Sequence, residues 1–198
     1  MQESLLYHDN NRALQDAFGS RALADRLEER LARRAFTEDD RAFIESALFF
    51  FLATADAAGR PDCSFKGGVA GFVRVVGESE LAFPDYDGNG MFKSLGNIEA
   101  NQAVGLLFID MGEKPRRLRV NGTARVCRDD PLLATFPGGQ LLVRVTARVI
   151  FPNCPRYIPP AAGKEPSHYA PRADYAPPEP AWKSFEIFRD VVPPRRDG

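Results

Sequence analysis

Hydrophobic spacing changes once along the chain, near residue 47. Before that point Leu5, Leu6, Leu14, Phe18, Leu23, Leu27 and Leu31 recur among charged residues. That spacing predicts amphipathic helices over about residues 3–34, divided at Gly19 and Ser20. Thr37, with Asp40 three residues on, predicts the capped start of another short helix. From Ala47 the run "ALFFFLATA" is continuously apolar, which predicts a strand buried on both faces. "DAAGRP" is a hairpin turn signal, and "DCSFKG" is the return strand. Alternation puts Asp62, Ser64 and Lys66 on one face, with Cys63 and Phe65 on the other.

Five further segments read as strands: "GFVRVV", "ELAFP", "AVGLLFID", "RRLRVNGTARVC" and "QLLVRVTARVIF". Short helices are expected near residues 89–99 and 129–135. Strands joined by short turns predict a closed or sandwiched β-structure. The fold class is therefore mainly β with helices (α+β). Eleven of the 16 prolines lie beyond Phe151, so regular sheet ends there. The expected division is a helical extension over 1–44, a β domain over 45–151, and a proline-rich tail over 152–198 with a short closing helix at "AWKSFEIF".

Composition narrows the function classes. The formal net charge is -1 in 198 residues, without the basic excess that general nucleic-acid binding requires. No apolar run reaches the ~18 residues of a membrane helix, and the N-terminus lacks a basic-then-apolar signal. Three scattered cysteines fit reduced thiols in a cytoplasm better than a disulfide framework. Two histidines, with no CxxC or HxxxH spacing, predict no protein-built metal site.

Three segments carry candidate chemistry. The first, "FPDYDGNGMFKSLGNI", is a strand end, a glycine-rich turn and a helix start. Gly88 and Gly90 let backbone approach a ligand, the helix start offers free N–H groups, and Lys93 and Ser94 lie within a turn. This suits a phosphate monoester; an ordinary turn capped by Asn89 has the same residues. The second is Lys66, ending a strand on the face of Ser64. The third is "PRRLRVNG", where Arg117, Arg119 and Asn121 face away from Leu118 and Val120. Arginines in a row can hold phosphate or carbonyl oxygens, or form a solvated face. No GxSxG or Ser–His arrangement is present, and no catalytic residue is identified. Cys154, between prolines in "FPNCPRY", is either a ligand-facing thiol or a buried one. Groups that hold a cofactor without groups for acid–base work point to chemistry supplied by the cofactor.

These segments in this order resemble the pyridoxamine 5'-phosphate oxidase-like family of FMN-binding split β-barrels, over about residues 45–150. The resemblance rests on "FFFLATADAAGRPDCSFKGG", "LAFPDYDGNGMFKSLGNIEANQAVGLLFID" and "RRLRVNGTARV". It implies that Lys66 is the basic residue on the FMN phosphate side, with Ser64 beside it. The loop from Phe83 to Ser94 would hold flavin and phosphate through Asp85, Asn89, Gly90, Lys93 and Ser94, with Phe83, Tyr86 and Met91 flanking the ring. Arg117 would face the flavin's pyrimidine edge. The family forms homodimers with FMN between subunits.

Some positions depart from the family pattern. Gly90 and Met91 stand where the oxidases carry a basic pair, and Pro61 where they carry an arginine. Trp182 and Arg189 lie in a context unlike that of the family's substrate-binding tryptophan and arginine. The implied function is a cytoplasmic, homodimeric FMN oxidoreductase acting on a small molecule. The alternatives are a flavin carrier or sensor without turnover, and an F420-dependent reductase. Relatives of the barrel also bind haem.

Overall fold

Helices give way to sheet where the hydrophobic period changes. The computed structural model describes residues 4–112, 114–154, 158, 171–179 and 184. Helices α1 (Asp9–Ala17) and α2 (Arg21–Leu31) meet at Gly19, whose φ of 64° takes the left-handed turn between them. Helix α3 (Glu38–Ser46) starts in a capping box: Thr37 Oγ1 accepts from the Asp40 amide at 3.1 Å, and Asp40 accepts from the Thr37 amide at 3.0 Å. Arg33 donates to both oxygens of buried Asp40, at 2.7 and 2.8 Å. The Arg33 backbone exchanges hydrogen bonds with Ile150. The helical extension is thus tied to the sheet.

Seven strands follow: β1 (Phe49–Ala55), β2 (Pro61–Gly67), β3 (Arg74–Val75), β4 (Glu80–Tyr86), β5 (Ala103–Asp110), β6 (Arg116–Cys127) and β7 (Gly139–Pro152). Helix α4 (Lys93–Ala100) joins β4 to β5, and a 3₁₀ turn (Pro131–Thr135) precedes β7. The sheet is antiparallel, in the order β2-β1-β5-β6-β7-β4-β3. Its two outer strands do not pair, so the sheet is an open, split barrel of the expected α+β class and not the closed barrel or sandwich that strand spacing alone suggested.

The sheet is nevertheless rolled. Phe50 of β1 packs against Phe108 of β5 at 5.1 Å, Phe83 of β4 at 5.0 Å and Phe72 at 5.9 Å. Strands from both halves of the sheet surround one ring, which a flat sheet would not allow. Helices α3 and α4 plug opposite ends of the roll. Asp39 of α3 pairs with Arg116 at the start of β6, and Glu99 of α4 with Arg128 just past its end. Phe43 and Ile44 of α3 join Leu95 and Ile98 of α4 in the same core.

Strand β1 differs from expectation. Phe50, Leu52 and Thr54 are buried, but Phe49 and Phe51 are half-buried and Ala53 is exposed. The outer face carries its own aromatic cluster: Phe65 stacks on Phe49 at 5.3 Å and meets Phe51 edge-on at 6.0 Å. Those ring contacts explain the unbroken apolar run within one chain. Beyond β7, Pro171 lies against Gly138. Apart from Ser184, the expected closing helix lies outside the described residues.

Strand β6 shifts register between Asn121 and Gly122, which brings the two backbones close. A Cβ on Gly122 would stand 2.0 Å from the Thr146 carbonyl oxygen. Gly96, exposed in α4, has nothing within 4 Å of the same position. Gly122→Ala is expected to cost about 3 kcal/mol, the upper end of ordinary overpacking, and to lower Tm by roughly 6–12 °C. Gly96→Ala should raise stability by up to ~1 kcal/mol through helix propensity. Urea and thermal unfolding of both variants check the opposite signs.

Candidate functional site

Rolling the sheet without closing it leaves a seam between β2 and β4. Lys66 on β2 crosses it to Asp85 on β4, Nζ to Oδ1 at 4.0 Å. Lys66 pairs with Phe50 and Ser64 with Leu52. Both polar residues therefore sit on the face that carries the core, where the sheet runs out of partners. Asp85 faces inward by alternation with Leu81 and Phe83, and the register shift between Asp85 and Tyr86 lets Tyr86 pack against the core too. Burial raises the Asp85 carboxyl, and Lys66 lowers it by less. Burial pushes the Tyr86 hydroxyl up to about 12. At neutral pH Tyr86 is thus a proton donor.

Helix α4 packs beside β1. Asn97 donates to Thr54 Oγ1 at 3.0 Å, and Asn101 donates to the Asp56 carbonyl at 3.3 Å. Four helical residues, about 6 Å, thus track two strand residues, about 7 Å. The helix runs alongside β1 in the same direction. One turn back, Lys93 and Ser94 stand about level with Leu52 and its partner Ser64. The first helical turn has no side-chain cap, so its amides remain available to an anion. Residue Phe92 holds φ 46°, a left-handed conformation that is costly for a bulky side chain.

Other expected site residues fall as follows. Asn89 and Gly90 are exposed in the loop, and Gly90 has φ 73°. Met91 is 68% exposed, its amide donating to Asn89 Oδ1 at 3.1 Å. Lys93 is exposed and helps hold the Asp56 carboxyl low, behind the larger effect of the Arg60 amide. Ser94 is buried. Phe83 does not line the seam with its side chain: it is 1% exposed, inside the core against Phe50. Cys154 is exposed.

Arg117 stands apart from the seam. Its neighbours Leu118 and Val120 are buried on the core face, so Arg117 is on the outer face, opposite Lys66. It lines a cleft with Arg33, Asp40 and Asn153. Among the described residues its guanidinium has no hydrogen-bonding or ionic partner. Arg33 and Asn153 were missed because they lie far from Arg117 in sequence, and in "FPNCPRY" Cys154 stood out rather than its neighbour Asn153. Asp85 was expected only as a cofactor contact. Its raised carboxyl arises from burial, whose depth depends on how the sheet rolls and not on residue spacing alone. Among the described residues, no cluster of His, Cys, Asp or Glu is placed to hold a metal ion. No helix among them is long and apolar enough to cross a membrane.

Comparison with known proteins gives one sequence match and several similar structures. The family model for pyridoxamine 5'-phosphate oxidase matches residues 36–164. HupZ from Group A Streptococcus shares 18% identity, with 64% of this chain covered and 99% of that one, at a TM-score of 0.49. A pyridoxamine 5'-phosphate oxidase candidate from Lactobacillus delbrueckii shares 24% identity, covering 60% and 95%, at 0.48. HutZ, the heme storage protein from Vibrio cholerae, shares 19%, covering 55% and 87%, at 0.42. No curated protein matches significantly.

The seam gives a pH-dependent prediction. Because the folded-state Asp85 carboxyl is raised, the folded chain holds this proton to higher pH than the unfolded chain. The resulting stabilisation is full below the ordinary carboxylate range and is lost as pH rises through the folded value. Asp85→Asn removes that loss. The Tm of the variant minus that of the parent should be more positive at pH 7 than at pH 4, by about 2–4 °C for each kcal/mol involved. Thermal unfolding at the two pH values checks it; a difference that falls with pH would mean that Lys66, not burial, dominates.

Proposed function

The chain belongs to the pyridoxamine 5'-phosphate oxidase family, and from that premise we propose that it is a homodimeric FMN flavoprotein that oxidises or reduces a small molecule. The observation that supports this most directly is the seam itself. Lys66 and Asp85 meet across it beside Tyr86, and a short loop leads from Tyr86 to the uncapped amides and Lys93 at the start of α4. A ligand that combines a phosphate with a polar ring suits that set of cations, free amides and a phenol. FMN would supply hydride chemistry when bound.

The protein's own residues would do the rest. Lys93, Asn89, Gly90, the α4 amides and the nearby Ser94 would hold the phosphate. Lys66, with Ser64 beside it, would stand on the phosphate side, Asp85 would contact the flavin along β4, and Phe83 would support the site from the core. Tyr86 and Met91 would shield the ring from water. Lys66 offers a positive charge to any negative charge that develops, and Asp85 can hold a proton close to it. The Asp85 carboxylate also keeps Lys66 from being a bare cation before a ligand arrives. Lys66 and Arg117 lie on opposite faces of one sheet. A flavin touching both would therefore use Lys66 of one copy and Arg117 of another, which is the physical argument for a homodimer.

Purified protein should show the absorbance bands of oxidised flavin, or gain them when FMN is added. Lys66→Ala should weaken FMN binding about ten- to a hundredfold, the value of a charge-assisted contact of roughly 1.5–3 kcal/mol, with folding retained. Titration of FMN into both apoproteins measures this. Absence of FMN binding in the parent would overturn the reading, and haem or F420 bands would replace the cofactor. An unchanged dissociation constant in the variant would remove Lys66 from the site.

A further inference from the structure

We propose that the cleft between the α2–α3 strap and the start of β6 is a second ligand site, which takes a small oxyanion on Arg117. The cleft is about 230 Å³ and is lined by Arg33, Thr37 and Asp40 on one side and Arg117, Pro152 and Asn153 on the other. That is below the ~300–1,000 Å³ of sites for drug-sized ligands. It suits a small acid rather than a flavin.

Polar satisfaction distinguishes this cleft from ordinary surface. Three buried side-chain nitrogen or oxygen atoms lack a partner among the described residues: Arg33 Nε, Arg117 Nε and Asn153 Oδ1. All three belong to residues lining this one cleft. A buried polar atom without a partner is unfavourable, and native folds leave few of them. Their coincidence at one place is the mark of a site that a ligand completes.

Charge identifies the ligand class. Both carboxylates lining the cleft are already used. Asp40 takes the bidentate Arg33 pair at 2.7 and 2.8 Å, and Asp39 takes Arg116 at 2.7 Å. Arg116 also lies over the Phe43 ring at 4.5 Å, which fixes its position. What remains is the Arg117 guanidinium, with no counter-ion among the described residues. A planar guanidinium matches a carboxylate or phosphate edge with two parallel hydrogen bonds. Asn153 can turn its amide to donate to the same oxyanion. Its backbone amide already reaches the Arg117 carbonyl at 3.4 Å, which holds the two residues together.

The site rests on the cleft and not on the flavin reading. The two share only Arg117, whose five donors suffice for a flavin carbonyl and an oxyanion together. The test uses the full chain at constant ionic strength, with benzoate and inorganic phosphate as separate probes in isothermal titration. Saturable one-site binding of at least one probe is expected. Arg117→Gln and Asn153→Ala should each weaken it, the former at least tenfold, with unfolding curves confirming that both variants fold. Preference for benzoate would identify a carboxylate ligand and preference for phosphate a phosphoryl one. Asn153→Ala should leave the FMN dissociation constant unchanged, and Lys66→Ala should leave probe binding unchanged, so failure of either reading is seen separately. Binding of neither probe, or binding unaffected by Arg117→Gln, would overturn the proposal.

Discussion

Everything at the candidate site depends on a sheet that rolls around Phe50 but does not close. Closure would pair β2 with the strands beyond β7 and use up every backbone and side-chain position at the join. Instead one ion pair, Lys66–Asp85 at 4.0 Å, spans the gap. An ion pair at that distance and partial exposure contributes little by itself. The roll is held by aromatic contacts at Phe50 and by the two helical plugs, so the seam is free to serve a ligand. Polar residues can then sit on the core face of β2 without being buried unpaired, because the seam reaches solvent there.

The sheet's two faces carry different duties. The inner face presents Ser64, Lys66 and Asp85 where the core ends. The outer face presents Arg117 over a cleft, and beside β2 an aromatic cluster of Phe49, Phe51 and Phe65. Phe65 is 62% exposed. Three rings that touch each other and still face outward are suited to burial against a second copy. That agrees with the two-faced arrangement of Lys66 and Arg117, in which one chain cannot bring both to a shared ligand.

Much of this was legible in the sequence, for reasons that differ by element. Strands β5 and β6 match their segments because both alternate cleanly between core and outer face. Helix α3 was marked by its capping box, whose partners are local. β3 shrank to Arg74–Val75 because it is an edge strand with one neighbour. The burial of β1 was overestimated, since aromatic residues on an outer face can cover one another. Phe83 was grouped with the ring-flanking residues by its place before the loop, but alternation puts it, like Leu81 and Asp85, on the core side. The cleft could not be read at all: residues 33, 117 and 153 meet only because the strap hydrogen-bonds to Ile150 and β7 ends beside β6.

The arginines show how structural and functional charge can be told apart in one chain. Arg144 bonds both oxygens of Asp130, at 2.6 and 3.2 Å, and Glu80 at 3.0 Å. These bonds hold the Asp130 carboxyl low and raise Arg144 further. Arg12 reaches Asp25 and Glu28, and Arg33 reaches Asp40. In each case the fold already supplies carboxylate counter-charge, so an anion would have to displace an existing bond. Arg117 is held by strand β6 and sits over a cleft, but its guanidinium has no partner among the described residues. Holding a charged group in place without a partner costs free energy unless something outside the chain supplies one. The α4 start repeats the pattern, with free amides behind a strained Phe92 that no core contact requires. An arginine whose carboxylate partners the fold supplies is explained by the fold, whereas a partly buried one with no partner among the described residues is a candidate for a ligand.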